Sequence, residues 1–416
     1  MSSKIKIVLF LLAFLMISNM LIAQTNDGYV SKENELRVDQ IFKNFDNPKW
    51  PGAAVCIVKD GQVVFKKGYG SANLEYDIPV RSNTVFHVAS VSKQFTVLAI
   101  LLLEDEGKLS FDDDIRKYIP EVPDFGTTIT LRHLAGHTSG LRDHWDLYCL
   151  AGGRLDDAIT KSHLFKLIKR QKELNFTPGE KYWYSNTGYT LLAEVVTRVS
   201  GQSFSEFTQK NIFEPLGMIN SQFYDNHEKI VPNRAYSYEP TGDNFKKRVL
   251  SFSITGSTSV FTTIDDIGTW MLNFESPKVG SRRIFDKMET LAQLNDSSTF
   301  TGAYGLFVNK HNGYKQVFHE GSDAGYRAYL SRFPDQRLGI AVFSTSTATD
   351  SEGLALEIAN IFLEKKTEII TNKPVEKVQY ISLSKDKLTP YEGYYWNQQR
   401  SLNRKIYMHN DTLRYL

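Results

Sequence analysis

Ser90-Val-Ser-Lys93 sets a hydroxyl and an amine three positions apart, just before the apolar run of residues 95–103. Residues at i and i+3 share one face of a helix, so the Lys93 amine can reach the Ser90 hydroxyl. A serine becomes a nucleophile when a base takes its proton. Lysine is such a base only if its pKa falls from ~10.4, and burial lowers it by disfavouring the charged form. The positive end of a helix starting here would favour negative charge developing on Ser90. The pattern itself is common in this chain. It recurs as Ser3-x-x-Lys6, Ser382-x-x-Lys385 and Ser384-x-x-Lys387. Only Ser90 opens a long apolar helix, and the plain alternative for it is a helix N-cap.

Two further signals lie downstream. Tyr184-Ser-Asn186 offers a phenol for proton transfer and an amide to grip a substrate carbonyl, and it precedes a helix expected over residues 187–200. The Tyr-x-Asn pattern also occurs at Tyr224 and Tyr395, so a packed tyrosine with a capping asparagine is the alternative. His319-Glu-Gly321 ends a strand-like segment. Gly321 permits close backbone approach, and the amide of Ser322 behind it can serve as an oxyanion donor. The alternative for His319 is a strand histidine with a satisfied ring.

The elements that must position these residues come from both ends of the chain. Apolar residues at helical spacing predict a helix over 32–45. Strands follow at 53–59 and 62–68, joined by Asp60-Gly61, a strong hairpin signal. Far downstream come strands at 314–319, 326–333 and 338–344, then a helix over 354–365. The economical arrangement is an α/β (α+β) fold: one antiparallel sheet flanked by the terminal helices, with a large, mainly helical insertion. The expected main domain spans 28–366, with a sheet lobe at about 30–85 and 311–366 and a helical lobe at about 86–310. The cleft lies between the lobes. Residues 367–380 read as a linker, and 381–416 as a small or incomplete β segment too short to bury a core alone.

The 416 residues are 41% hydrophobic and 23% charged, in the range of globular domains. Lys4 and Lys6 precede an uninterrupted apolar run, and Ala23 offers a small cleavage residue, so residues 1–23 read as a secretory signal peptide. An exported protein, periplasmic or extracellular and with no stable membrane anchor after cleavage, is expected. Losing those two lysines from 49 basic residues balances the 47 acidic ones. This argues against nucleic acid as a partner. Cys56 and Cys149 are the two cysteines, too few for a disulfide framework. Cys56 reads as a core residue of a strand, and a pairing with Cys149 stays open.

Ordered Ser-x-x-Lys, Tyr-x-Asn and His-x-Gly, on helix, loop and strand, resembles the class C β-lactamase-like and D-alanyl-D-alanine carboxypeptidase superfamily of penicillin-recognising serine hydrolases. The related class A pattern is Ser-x-x-Lys, Ser-Asp-Asn and Lys-Thr-Gly. Phe86-His-Val-Ala-Ser90, Leu131-Arg-His-Leu-Ala-Gly-His-Thr-Ser-Gly-Leu141, Thr177-Pro-Gly-Glu180, Phe213-Glu-Pro-Leu-Gly-Met218 and His319-Glu-Gly-Ser-Asp-Ala-Gly325 fit the same family. The resemblance implies that Ser90 forms an acyl-enzyme while Lys93 and Tyr184 shuttle protons. It implies an oxyanion hole from the amides of Ser90 and Ser322, with Asn186, His319 and Gly321 at the substrate. It implies no cofactor, and a small-molecule or peptide substrate: an ester, a D-amino peptide or a β-lactam.

Two departures stand out. His319 occupies a position where class C β-lactamases have lysine, which weakens the attraction for a substrate carboxylate. Gly256-Ser-Thr-Ser-Val260 replaces a glycine-richer loop. Three rival readings compete. A Ser-His-Asp hydrolase would need Gly-x-Ser-x-Gly on an elbow, which the chain lacks. A metal centre on His133, His137 and His144 has no His-Glu-x-x-His. A non-catalytic penicillin-binding or sensor-type protein would need a damaged site, yet Ser90, Lys93 and Tyr184 are all present.

Overall fold

The computed structural model describes residues 30–363, 383–397, 402–409 and 412–415. The expected signal peptide and linker lie outside them. Residues 1–366 and 367–416 form two compact units.

In the first unit, α1 (Lys32–Ile41) leads into β1 (Ala53–Lys59) and β2 (Gln62–Tyr69). The helical region contains α2 (Lys93–Asp105), α3 (Asn186–Ser200) and α4 (Ile264–Glu275). The chain then returns through β3 (Phe307–His311), β4 (Tyr314–Asp323), β5 (Tyr326–Phe333), β6 (Leu338–Ser344) and α5 (Ser351–Phe362). The strands make one six-stranded antiparallel sheet in the order β3-β4-β5-β6-β1-β2.

The early and late strands of this unit therefore meet at the β1–β6 pairing, where Ala53 faces Ser344 and Lys59 faces Leu338. Side chains alternate across a strand. Val55 and Ile57 of β1 pack with α1 and α5, against Val38, Phe42, Ala355 and Ile358. Ala54, Cys56 and Val58 join the larger core on the opposite face, with Phe95, Leu98 and Trp270. A sheet covered on both faces explains why β1 is an unbroken apolar run. Helix α4 lies directly on this face. A Cβ at Gly268 would sit 2.9 Å from Val63 Cγ2 and 3.1 Å from Cys56 Sγ. Cys56 is buried and Cys149 exposed, and both are free, so the two are not bridged.

Most sequence expectations hold to within a few residues. Asp60 and Gly61 adopt φ of +51° and +82°, the left-handed pair that a tight hairpin needs. The helix expected over 354–365 begins earlier, at Ser351, because the Asp350 carboxylate caps it by accepting from the Gly353 amide. The strand expected over 314–319 runs on to Asp323. Strand β3 was not anticipated, nor was a hairpin of Ser237–Thr241 with Asn244–Arg248 inside the helical lobe. The second unit contains the antiparallel order Gly393–Asn397, Leu402–His409, Thr412–Tyr415, with a short helix over Lys385–Leu388.

Candidate active site

Helix α2 is apolar on nearly every side, so it sinks into the core and carries its first residue, Lys93, to zero exposure. Before it, Ala89–Ser92 form one 3-10 turn, with Ala89 at φ +46°. A non-glycine residue in that region costs about 1 kcal/mol or more, so its surroundings must hold it. Ser92 Oγ donates to Ala89 O at 2.5 Å and accepts from the Val260 amide at 2.9 Å. Strand β4 closes from the other side. A Cβ on Gly321 would lie 2.3 Å from Val88 O and 3.2 Å from Ser90 N, so only glycine lets the strand approach the Ser90 amide.

Lys93 Nζ has three oxygen neighbours: Ser90 Oγ at 3.1 Å, Asn186 Oδ1 at 2.9 Å and Ser257 O at 2.6 Å. The rings of Tyr184 and Tyr189 flank it, 4.9 and 5.3 Å from the nitrogen. Burial pushes the Lys93 pKa down to about 7, against the opposing charges of Asp143 and Asp323. A neutral amine has two hydrogens and one lone pair. The two acyl-type oxygens accept the hydrogens, and the lone pair faces the Ser90 hydroxyl. Once the Ser90 proton has moved, the resulting ammonium finds an acceptor for each of its three hydrogens. Both protonation states are therefore accommodated without rearrangement.

Asn186 lies at the first turn of α3. Its backbone amide and Nδ2 both donate to Asp143 Oδ2, at 2.5 and 3.0 Å. That bond leaves Oδ1 pointing at Lys93, so one Nδ2 hydrogen remains for a substrate carbonyl. Tyr184 stacks on His137 (centroids 4.2 Å apart, planes 24° off parallel), and His137 Nδ1 accepts from the Ser185 amide at 3.1 Å. Burial raises the Tyr184 pKa well above the ordinary phenol value, while its interaction with the Ser90 hydroxyl pulls the other way. The phenol stays protonated and can give its proton.

These side chains open onto a cleft of ≈ 550 Å³ between the lobes, lined by Ser90, Tyr184, Asn186, His319 and Ser322 among others. His319 Nδ1 lies 2.6 Å from Glu320 O and so carries the hydrogen. Burial, reinforced by the charge of Lys93, lowers its pKa to about 3, so the ring is neutral. The glycine-poor loop also has structural work. Gly256 takes φ +96° with its Cα side pressed on Tyr189 O, which delivers Ser257 O to Lys93 and Thr258 to the cleft.

His133, His137 and His144 occupy separate environments. His133 Nδ1 accepts from Thr130 N, His137 serves Ser185, and His144 is buried with neither ring nitrogen partnered. Among the described residues, no group of three or more His, Cys, Asp or Glu side chains could hold a metal ion. Sequence reasoning missed Asp143; it met His137 only as a rejected metal ligand and within a family stretch, and Ser257 and Thr258 only as members of the glycine-poor loop. It quoted Asp323 only as part of a family stretch. None of them carries a local pattern, because each acts across 43 or more positions of sequence, as Asp143 does on Asn186.

The Beta-lactamase family model matches residues 38–362. The chain is similar to a D-aminopeptidase of Gluconobacter oxydans, 27% identical over 78% of this chain and 61% of that protein. It is also similar to a penicillin-binding protein of Bacillus subtilis, 25% identical over 83% of this chain and 80% of the relative. It thus spans about three fifths of the first relative's length. Among solved structures, an octameric penicillin-binding protein homologue from Pyrococcus abyssi superposes with a TM-score of 0.71, at 27% identity, covering 92% of this chain and 86% of that one. The chain belongs to the Beta-lactamase family.

Proposed function

We propose that this protein is an exported hydrolase that cleaves ester or amide bonds through an acyl-enzyme on Ser90. The observation that carries this reading is a fully buried Lys93, with a pKa near 7, 3.1 Å from the Ser90 hydroxyl. In the acylation step, neutral Lys93 takes the Ser90 proton as Oγ attacks the carbonyl carbon. The amides of Ser90 and Ser322 receive the oxyanion, each donor contributing about 3 kcal/mol. The Tyr184 phenol gives its proton to the leaving group, and the Lys93 ammonium re-protonates the phenolate. Water then attacks the acyl-enzyme through the same two groups in reverse, which restores Ser90 and releases the acid.

Export rests on the basic and apolar character of residues 1–23. D-amino peptides, simple esters and β-lactams remain the candidate substrate classes. A neutral His319 offers no charge to the carboxylate of a β-lactam, which favours the first two. The test is a substrate panel across the three classes beside covalent labelling with a fluorophosphonate. Peptide mass spectrometry should place the adduct on Ser90, and Ser90→Ala should lose both label and turnover. Label or turnover that persists in that variant rejects the assignment.

A further inference from the structure

We propose that the cleft selects substrates carrying a positively charged amine beside the scissile bond, with the Asp323 carboxylate holding that ammonium. This deepens the acyl-enzyme reading and rests on it.

Asp323 closes strand β4 and lines the same cleft as Ser90. Its Oδ2 accepts from Thr258 Oγ1 at 3.1 Å. A hydroxyl has one hydrogen, so the contact of Thr258 Oγ1 with His87 Nε2, at 3.2 Å, requires the histidine to donate. The surroundings of His87 enforce that. Phe252, Phe261 and Tyr326 pack around the ring, and burial, with Arg234 nearby, pushes its pKa down to about 3. A neutral ring has one hydrogen, here on Nε2, and the unpartnered Nδ1 is the atom without one. His87 thus aims Thr258, and Thr258 fixes the Asp323 carboxylate.

That carboxylate has no counter-ion of its own. Among the described residues no lysine or arginine forms an ion pair with it. Arg327 acts on Asp323 only from a distance and donates Nη1 to Tyr326 O at 2.7 Å. Lys93 is committed to Ser90. Burial raises the Asp323 pKa to about 6, which leaves the group mostly charged at pH 7. A secluded charge without a partner is costly, and a ligand cation relieves the cost.

The rest of the cleft agrees in sign. Among the described residues no lysine or arginine lines it, Glu320 adds a second carboxyl, and Trp145 and Phe252 present aromatic surface. An ammonium meets a carboxylate and aromatic faces there. A substrate carboxylate meets like charge and a neutral His319, which selects against it.

The experiment uses alanine phenyl esters of both configurations in three forms: free ammonium, N-acetyl and N-succinyl. Each kcat/KM is normalised to the ester's own alkaline hydrolysis rate. The enzyme should prefer ammonium over acetyl by about tenfold, as expected for a charged hydrogen bond, and acetyl over succinyl, chiefly through KM. In Asp323→Asn the ammonium-to-acetyl ratio should fall to within about threefold of one. A wild-type ratio near one, or a ratio unchanged in Asp323→Asn, overturns the proposal. Turnover of the acetyl ester that survives Ser90→Ala sinks the underlying acyl-enzyme reading instead. Ser90-dependent turnover without charge preference sinks only the ammonium site. A second readout needs neither turnover nor a variant. Alaninamide should protect wild-type Ser90 from the fluorophosphonate at a concentration about tenfold lower than N-acetylalaninamide, and equal protection overturns the proposal.

Discussion

Ser90-Val-Ser-Lys93 and Ser384-Lys-Asp-Lys387 carry the same four-residue pattern in the two units of the chain. Ser384 starts a helix of four residues, and both it and Lys387 are exposed. Ser90 lies in a turn that feeds a thirteen-residue buried helix, and Lys93 has no exposure. Spacing brings a serine and a lysine near each other in either place. Only at Ser90 does burial make the neutral amine accessible near pH 7, while Asn186 and Ser257 occupy its hydrogens and leave the lone pair for the serine. The spacing is common to both places; the desolvation belongs to Lys93.

The contrast can be broken most severely at Ser90. Ser90→Ala should lower turnover of any accepted ester by about 10⁴-fold or more, measured by burst-free steady-state kinetics, with unchanged circular dichroism. Lys93→Ala should cost about 10³-fold, and Lys93→Arg should be no better, since arginine never becomes neutral; recovery of rate in the arginine variant would refute a basic role. The pH profile sharpens the same point. Lys93 must be neutral to act, so kcat/KM should drop tenfold for each pH unit below about 7 and level off above it.

A smaller effect is expected at Asp143, which orients Asn186. Asp143→Asn should lower kcat by about 10²-fold through misplacement. Removing that negative charge should also move the lower limb of the profile to more acidic pH, because Asp143 raises the Lys93 pKa; an unmoved limb would disconnect Asp143 from the base. The smallest effect belongs to the other copy of the pattern, where Ser384→Ala should leave turnover within about twofold, as for surface substitutions generally.

Legibility in the sequence followed the range over which each signal acts. The bounds of β5 and β6 were readable to the residue, since their apolar runs end at a turn with Arg337 at φ +47°. Strand β3 escaped because Phe-Val-Asn-Lys-His shows no alternation, its partly buried side chains lying at the sheet edge. The hairpin of residues 237–248 escaped because its second strand is nearly all exposed, so no apolar face marks it. Ser90, Lys93, Tyr184 and Asn186 were visible as motifs. The direction of the Asn186 amide was not, because it depends on Asp143, 43 positions away.

By itself the sequence determined the order of elements, the apolar helix behind Ser90, and the residue types available for acyl transfer. These are local properties, set by side-chain periodicity and by glycine at turns. Tertiary structure decided which lysine is buried, which way Asn186 points, that His319 is neutral, and that Asp323 faces the cleft with no ion-pair partner among the described residues. Each of those depends on the dielectric and the hydrogen-bond partners around a group. Both are set by segments far apart in the chain, and they exist only once the sheet, α2 and the loop at residues 256–260 have packed together.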